Sequence, residues 1–563
     1  MSNFRKFARA LTAALVVIAC AMAAHAQVTT GNVRGVVTDP AGAAVPNAKV
    51  TLTKKSTNSS QTAQTSAEGE YQFNNLLPDR DYTISIEAAN FKTLNLSDVT
   101  VQLNQTTDVP AQLQVGAVGE TVEVTAGGAE LVDTTTQNLA KSFDARQVVE
   151  LAQTSTGLGV YNLALIAPNV SSAGGVGVGS GGSVGGQRPR NNNFVVDGID
   201  NNDKSVTGPQ VYISPETVGE FTLLQNQYSA EFARSTGGQF IVATKSGTND
   251  YHGSAYFFGR NRKLNAIDTL NKQPGNTFVR DPSDVNEAAG ITRQPRSDYF
   301  RTGGNLGGPL IIPHFGEGGP AFYSGKDKLF FFTSYERIGR GDAAGTSFDA
   351  PTAAGYAQLT ATPGISTANL NLLKQFIPAA STASNAACVP TNPADPKHCI
   401  VVNGLNVPTG SISLPAPNFF ERKNFVLNVD YTQSGKTQHR WRFIKNTEGL
   451  IDTAATLPQF YILLPTKQYL FSYTMIHTFS SSITNETRLA FRRSNAPVPV
   501  PNIAFPLPGF GGDFPNVTVD ELGANIGPDP NAPQFTIENN YQVIDNMTWL
   551  HGNHSMKFGG DFR

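Results

Sequence analysis

Over the last 140 residues of this chain, apolar and polar side chains alternate one for one in runs of eight to twelve, and the runs are paired through very short turns. Phe425, Leu427, Val429 and Tyr431 alternate with Asn424, Asn428 and Asp430; after Gln433-Ser434-Gly435-Lys436, Trp441 and Phe443 alternate with Gln438, Arg440 and Arg442. Tyr469, Phe471, Tyr473 and Met475 stand against Ser472, Thr474 and Thr478, and beyond Ser480-Ser481-Ser482 come Leu489 and Phe491 against Thr484, Glu486, Arg488 and Arg492. After His551-Gly552-Asn553-His554, Met556, Phe558 and Phe562 oppose Ser555, Lys557 and Asp561. A period of two places the two sets on opposite faces of a strand. One face suits lipid and the other a wet interior, the requirement for a sheet that crosses a bilayer.

A soluble sandwich also alternates, so the loop lengths supply an independent test. The gaps between strand-like segments are Arg262–Ser297, Pro309–Lys326, Gly339–Phe419, Gln433–Lys436, Asn446–Thr466, Ser480–Ser482, Ser494–Asn540 and His551–His554. Apart from a medium second gap, odd gaps are long and even gaps short, as when tight turns lie on one side of a membrane and longer loops on the other. Tyr251–Asn261 is an aromatic-rich segment of spanning length and opens a series of nine strands. A nine-stranded sheet with open edges in lipid is not tolerable, so the expectation is that the chain is part of a longer protein. His551 and His554 sit in a tight turn with no third ligand in view and read as solvated.

Charged residues make up 15% of the 563, while Gly (53) and Phe (34) are abundant, a balance that suits a wall facing lipid. The net charge of −2 argues against a general nucleic-acid binder. Residues 1–26 read as a secretory signal peptide: Arg5, Lys6 and Arg9, the apolar run Leu11–Ala24, and the small-x-small end Ala24-His25-Ala26. Val17-Ile18-Ala19-Cys20 is a rival, lipoprotein-like ending, with Cys20 as the lipidated residue. No later apolar run is long enough for a helical span.

Residues 28–115 alternate β-branched runs with turns at Asp39-Pro40-Ala41-Gly42 and Ala67-Glu68-Gly69, which suggests a β-sandwich of six or seven short strands. The spacing of Gly35-Val36-Val37-Thr38-Asp39, Ala48-Lys49-Val50, Gly69-Glu70-Tyr71 and Leu76–Tyr82 is similar to carboxypeptidase-regulatory-like domains. No His-Glu zinc pattern accompanies it, so the resemblance implies no peptidase. A docking module and a spacer are both open for this unit.

Residues 127–249 read as mixed α/β, with helix-like runs at Asp144–Ala152 and Tyr161–Ala167 and a β-rich run Gln239–Lys245. The formal G-x-G-x-x-G at Gly177, Gly179 and Gly182 lacks the preceding strand and following helix that aim amides at a pyrophosphate, and reads as a loop. Asp197, Asp200 and Asp203 lack the ligand order of a calcium loop, so an Asx-type turn is expected there and no metal. Arg188, Arg190, Glu220, Glu231 and Arg234 are candidates for ionic contacts with the strands that follow, with surface solvation the alternative.

Ala243–Asn261, ATKSGTNDYHGSAYFFGRN, resembles the passage from plug to barrel in TonB-dependent outer-membrane receptors, specifically the subgroup that carries a carboxypeptidase-regulatory-like domain ahead of the plug. Asn191–Asp200 is similar to the family's plug signature, a strand ending in Asp-Gly, with Asn193, Asp197, Gly198 and Asp200 as its marked residues. Within 119–126, Glu120, Thr121, Val122, Glu123 and Val124 resemble a TonB box, an extended edge able to add to a partner's sheet; the same residues also fit a last strand of the first domain. The resemblance implies a mainly β chain with an amino-terminal β-sandwich, a mixed α/β plug at 127–249, and from 250 to 563 about nine of about 22 strands of an antiparallel transmembrane barrel. It further implies solute import (siderophore, glycan or peptide), a TonB-type energy-transducing inner-membrane partner, outer-membrane lipid as surroundings, an external ligand, an accompanying surface lipoprotein in some members, and no cofactor. Cys388 and Cys399 fall in the largest external gap, where export makes a disulfide between them plausible, against two unpaired thiols. Two readings of other classes stand beside import: a surface adhesin or assembly protein, and an exported carbohydrate-active enzyme or peptidase, the last disfavoured because no catalytic constellation has supporting context.

Overall fold

The computed structural model describes residues 30–116, 121–125, 139–151, 159–172, 181–204, 208–226, 230–232, 235–261, 264, 297–314, 321–381, 383, 400–480, 482–503, 514–551 and 554–563. The signal segment, Glu120, Gly177 and Gly179, Arg234, Cys388 and Cys399 lie outside them.

The amino-terminal unit packs two sheets face to face. One joins β1 (Gly31–Thr38) to β4 (Glu70–Leu76), β7 (Thr106–Asp108) and β8 (Ala111–Gln112). The other runs β3 (Ser59–Gln64), β2 (Lys49–Lys54), β5 (Asp79–Glu87), β6 (Thr93–Val101) and β9 (Thr121–Thr125). Inward residues alternate along each strand: Val33 and Val37, Val50 and Leu52, Ile84 and Ile86, Leu94 and Leu96 form one buried core. The Asp39 turn closes through its own carboxylate, which accepts from the amides of Ala41 (2.8 Å) and Ala43 (2.9 Å), while Gly42 takes the positive φ the turn needs. Within 28–115 the strand count exceeds the expected six or seven because β7 and β8 are too short to show a period, and β9 adds the strand that Thr121–Val124 fitted as an alternative to a TonB box.

The middle unit is a mixed sheet in the order β10 (Leu139–Asp144), β13 (Val218–Asn226), β14 (Gln239–Thr244), β11 (Asn193–Val196), β12 (Ile199–Asp200), antiparallel except for β11 beside β14. Asp144 caps the short helix α1 (Ala145–Glu150) in a reciprocal capping box with Gln147. The second helix-like run is a 3₁₀ segment, Gly159–Ile166, laid on the sheet. Phe143, Tyr161, Phe194, Phe221 and Phe240 build an aromatic core with ring centroids 4.8–6.2 Å apart.

Apart from four small two-stranded ribbons, the remaining described strands form one up-and-down antiparallel sheet of nine: β15 (His252–Arg260), β16 (Ser297–Pro309), β17 (Leu329–Pro351), β18 (Thr409–Ser434), β19 (Thr437–Asp452), β20 (Ile462–Ser480), β21 (Ile483–Val498), β22 (Gln534–His551) and β23 (His554–Phe562). Among the described residues the outer edges of β15 and β23 have no strand partner. Among the described residues no helix is long and apolar enough to cross a membrane, which says nothing of strands.

The tight turns fall where alternation put them, and the strands beyond the long gaps do not end where alternation stops. β17 and β18 pair from Leu329 opposite Tyr431 through to Pro351 opposite Thr409, well past the expected ends at Gly339 and Phe419. With 23 and 26 residues at about 3.3 Å each, they rise roughly three times the ~25 Å apolar band of a membrane wall. Outside lipid the strict period is no longer required, so Ala343-Ala344-Gly345 and Leu414-Pro415-Ala416-Pro417 carry strand without alternation. Two helices, α2 (Ala353–Ala361) and α3 (Thr367–Phe376), follow inside that same connection, capped by Thr352 and Ser366. Their side chains and those of two further connections close into a separate apolar lobe containing Phe348, Ile377, Leu457, Phe460, Phe514 and Ile526.

Candidate functional site

The concave face of the nine-stranded sheet is filled by the middle unit. Neighbouring inward residues form rungs across the strands: Asn424 with Asn446, then Val426, Ile444, Leu470 and Arg492, then Asn428, Arg442 and Ser472, then Asp430, Arg440, Thr474 and Arg488. Val426, Ile444, Leu470 and Ile544 belong to the middle unit's own apolar core. The polar residues on this face are the ones expected to meet water; instead Arg488 and Arg492 are each 1% exposed, among the largest fully buried side chains of the molecule. Alternation reports which face a residue takes, and the neighbour across that face is a second folded unit rather than solvent.

Three clusters seat the middle unit. In the first, the buried Glu336 carboxylate of β17 accepts from Tyr212 (3.1 Å) and Ser214 (2.8 Å) of the middle unit, from Tyr256 of β15 (2.8 Å), and from the Arg301 guanidinium of β16 (2.5 Å). Above the Tyr212 ring lies the Arg422 guanidinium at 4.2 Å, and the Tyr212 carbonyl accepts from Asn424 (3.2 Å) and Asn446 (3.1 Å).

The second cluster is built by the Asp197-Gly198 turn. Both residues have positive φ (48° and 79°), the conformation of a tight hairpin turn between β11 and β12, and the Asp-Gly pair is what such a turn favours. Asp197 accepts from the Thr244 amide (2.9 Å) and hydroxyl (2.8 Å) and stands 3.9 Å from Arg442, which itself pairs with Asp430 at 2.8 Å. Asn428 donates to Thr244 (2.9 Å) and to the Lys245 carbonyl (2.8 Å). Gly198 lies so close under the Arg488 guanidinium that a Cβ there would collide with it, and Arg488 pairs with Glu486 at 2.7 Å. Glycine is thus required twice, for φ and for space.

In the third cluster Asp200 stands 3.7 Å from Arg492 and 3.5 Å from Arg563, while its amide donates to Gln542 (3.1 Å) and its carboxylate accepts from Asn202. Arg492 also donates to the Asn202 carbonyl (2.6 Å) and pairs with Glu538 (2.7 Å), whose other oxygen accepts from Gln210 (3.0 Å). Asn193 links Gln239 (2.7 Å) and Asn202 (2.7 Å) within the middle unit. The carboxylates that a cation would need are therefore engaged by arginines, and Asp203 bonds back to the Gly208 carbonyl through its amide.

Of the expected wall contacts, Glu231 pairs with Lys557 at 2.7 Å. Arg188 and Arg190 are exposed. Glu220 faces the other way: its carboxylate accepts from the Leu103 amide of the sandwich (2.9 Å) and from Thr222 (3.1 Å), and burial pushes its pKa up to about 7. Burial likewise lowers the pKa of Lys245, whose ammonium donates to the Glu216 carbonyl (2.9 Å). Thr121, Val122, Glu123 and Val124 lie in β9, parallel to β6 with Val122 opposite Leu94 and Val124 opposite Leu96. Among the described residues the other edge of β9 pairs with no strand. The sandwich sits at the short-turn end of the sheet, where the Asn249 amide donates to the Ser56 carbonyl (2.7 Å) and a cavity of about 520 Å³ is lined by Arg34, Tyr71, Ser482 and His554. His551 and His554 are exposed at the ends of their turn.

Sequence reading did not single out Tyr212, Ser214, Arg301, Glu336 or Glu538. A signal was present for Glu336 and Arg301, charges set among the aromatic residues of Phe330–Tyr335 and of Tyr299–Phe300. Tyr212 and Ser214 lie in a loop, where no periodicity exists to read.

Comparison with known proteins agrees with this architecture. Residues 243–563 match the outer membrane beta barrel domain, and residues 32–114 the carboxypeptidase regulatory-like domain. The chain is 30% identical over 293 residues to the TonB-dependent transporter Oar of Myxococcus xanthus, across 51% of this chain and 24% of that protein. Among solved structures it is similar to the outer membrane transporter YddB of Escherichia coli (12% identity, TM-score 0.44, 75% of this chain and 47% of that one). It is also similar to the ferric enterobactin receptor PfeA of Pseudomonas aeruginosa (11% identity, TM-score 0.39, 75% and 49%). The chain thus spans about a quarter of the curated relative's length and about half of each solved chain; these relatives are transporters and receptors, not enzymes. With more than half its residues in the match, the chain belongs to the outer membrane beta barrel domain family and carries a carboxypeptidase regulatory-like domain at its amino terminus.

Proposed function

We propose that this chain is the plug-bearing part of a TonB-dependent importer, in which 127–249 is a removable stopper and 250–563 the wall it leaves. In this reading 1–26 is a signal peptide, 28–115 the regulatory-like sandwich, 119–126 the coupling segment, and further strands close the two open edges of the sheet to a barrel of about 22. The observation that carries the reading is the seat itself: around a narrow apolar belt, the stopper is held by buried Arg, Glu, Asp and Asn. Desolvation offsets most of the attraction in a buried ion pair, so water that enters the seat re-solvates both partners at little net cost. An apolar seat of equal area would lose about 25 cal/mol for every Å² exposed, with nothing to offset it. A stopper that must move is better held by the first kind of contact.

The solute would enter from the side of the long loops, and the motor would be a TonB-type inner-membrane complex acting on Glu120–Val124. Siderophore, glycan and peptide classes all remain candidates for the solute. The test uses the full-length protein: binding of a purified TonB periplasmic domain, and cellular accumulation of labelled ferric siderophores, oligosaccharides and peptides, with and without deletion of Glu120–Val124. Import predicts that the deletion abolishes both TonB binding and accumulation of one solute class. An adhesin predicts cell attachment that the deletion leaves untouched, and that result would overturn the reading.

A further inference from the structure

The sandwich is not merely tethered beside the middle unit. Leu103, two residues beyond the end of β6, leaves the sandwich and is fully buried in a cluster with Val195, Leu224, Phe232, Ile241 and Ala243 of the middle unit. Its amide donates to the buried Glu220 carboxylate at 2.9 Å. A second tie, Arg80 to Asp144 at 2.6 Å, flanks a cavity of about 390 Å³ between the two units. The strand that ends in this peg is the same strand that β9 joins: Thr93 to Ser97 of β6 run in parallel register with Thr121 to Thr125.

We infer that the sandwich is a clamp on the stopper, released by load on β9, which passes through the parallel ladder to β6 and along that strand to the Leu103 peg. β9 pairs with β6 over five residues, Thr93 to Ser97 opposite Thr121 to Thr125, so load on β9 reaches β6 through that ladder. The peg is a single leucine in an apolar socket, and it resists until it leaves and then resists no more. The clamp therefore sets a threshold: small tugs leave the stopper seated, and a sustained pull first removes the sandwich and only then loads β10. The physiological meaning of the clamp rests on the coupling reading above, whereas its mechanics need neither a partner protein nor a solute.

The experiment is single-molecule pulling on the full-length protein in nanodiscs, with native cysteines replaced by serine and handles at Thr125→Cys and at Lys436→Cys in the turn between β18 and β19. A clamp gives a first rupture that frees the sandwich while the middle unit stays folded. Leu103→Ala shortens the lifetime of that state at fixed force at least about tenfold, the effect of emptying a leucine socket. Arg80→Glu, on an exposed pair that does not bear on folding, shortens it about twofold to fivefold. The proposal is overturned if the first rupture comes from β10 and has the same lifetime in the parent and in both variants, since load would then pass along the chain from 126 to 138 and bypass the sandwich. Failure of TonB to bind would refute the coupling reading and leave the pulling result standing.

Discussion

The stopper's seat and the external lobe are both buried contacts between segments distant in sequence, yet they are made of opposite materials. In the seat, Asp197, Asp200 and Glu216 of the middle unit stand 3.5–3.9 Å from Arg442, Arg492, Arg563 and Arg301 of the sheet, and Tyr212 and Ser214 donate to Glu336. In the lobe, Phe376, Phe460 and Phe514 meet ring to ring at 4.7–5.5 Å and join three separate loops mainly through apolar area. The difference is one of reversibility. Aromatic burial grows with every Å² and is lost in proportion when opened. A network of ions is strong while complete and dry, and loses its hold when water substitutes for one partner. The lobe thus resists opening over its whole area, whereas the seat yields once water reaches its ion pairs.

The largest effect expected is at Glu336. Glu336→Ala strands the Arg301 guanidinium and three hydroxyl donors and costs about 3–5 kcal/mol of seat stability, read as lost hydrogen-exchange protection across 211–217. Glu336→Leu combined with Arg301→Leu should recover most of that loss, because removing both charges also removes their desolvation penalty. If the double variant is as loose as the single one, the seat does not differ from the lobe in the way described here.

Phe460→Ala comes next, at about 3 kcal/mol. It should open α2 and α3 to limited proteolysis, insensitively to salt, while leaving 211–217 protected. Coupled loss at both places would show that the lobe and the seat are one cooperative unit.

The sandwich contact lies between the two extremes, since it combines an apolar peg with one buried carboxyl. Glu220 has its pKa raised by burial from 4.5 to about 7, so it retains a proton when docked that it has lost when free. Its contribution to docking is fully present below about pH 4.5 and is lost as pH rises through about 7, on the order of 2 kcal/mol in all. Beside burial, the Asp144 carboxylate that lines the same cavity also raises the Glu220 pKa, while the hydrogen bonds from Leu103 and Thr222 lower it. The protection of the Leu103 amide relative to its intrinsic exchange rate at each pH should therefore fall from pH 4.5 to 7 in the parent and change little in Glu220→Gln. Smallest is Arg80→Ala, which removes an exposed ion pair and should change docking by less than about 1 kcal/mol, an effect that salt abolishes in the parent.

These contrasts explain how far the sequence could be read. Period-two alternation exists because lipid demands it, and it sorted Asn428, Arg442, Glu486 and Arg488 from Leu427, Trp441 and Leu489 with no knowledge of neighbours. It failed where lipid stops constraining the strand, so the outer reaches of β17 and β18 and the helices between them went unread. The Asp197-Gly198 turn was legible as a hairpin because its chemistry is local. That Gly198 lies beneath Arg488, 290 residues later, was not. Likewise Glu220 read as a contact with the wall, and the fold turns it to Leu103, since which face of β13 meets which unit depends on docking rather than on period.

By itself, then, the sequence determined the period of the wall, the positions of its tight turns, the Asp-Gly hairpin and the division into a sandwich, a mixed unit and a sheet, all of which follow from interactions within a few residues or with lipid. Only the tertiary structure decided that the polar side of the wall is covered by a second unit, that Arg442 and Arg492 there stand beside Asp197 and Asp200, and that a single leucine pins the first domain to that unit. Those facts are pairings between surfaces far apart in the chain, and no local pattern encodes the identity of a partner.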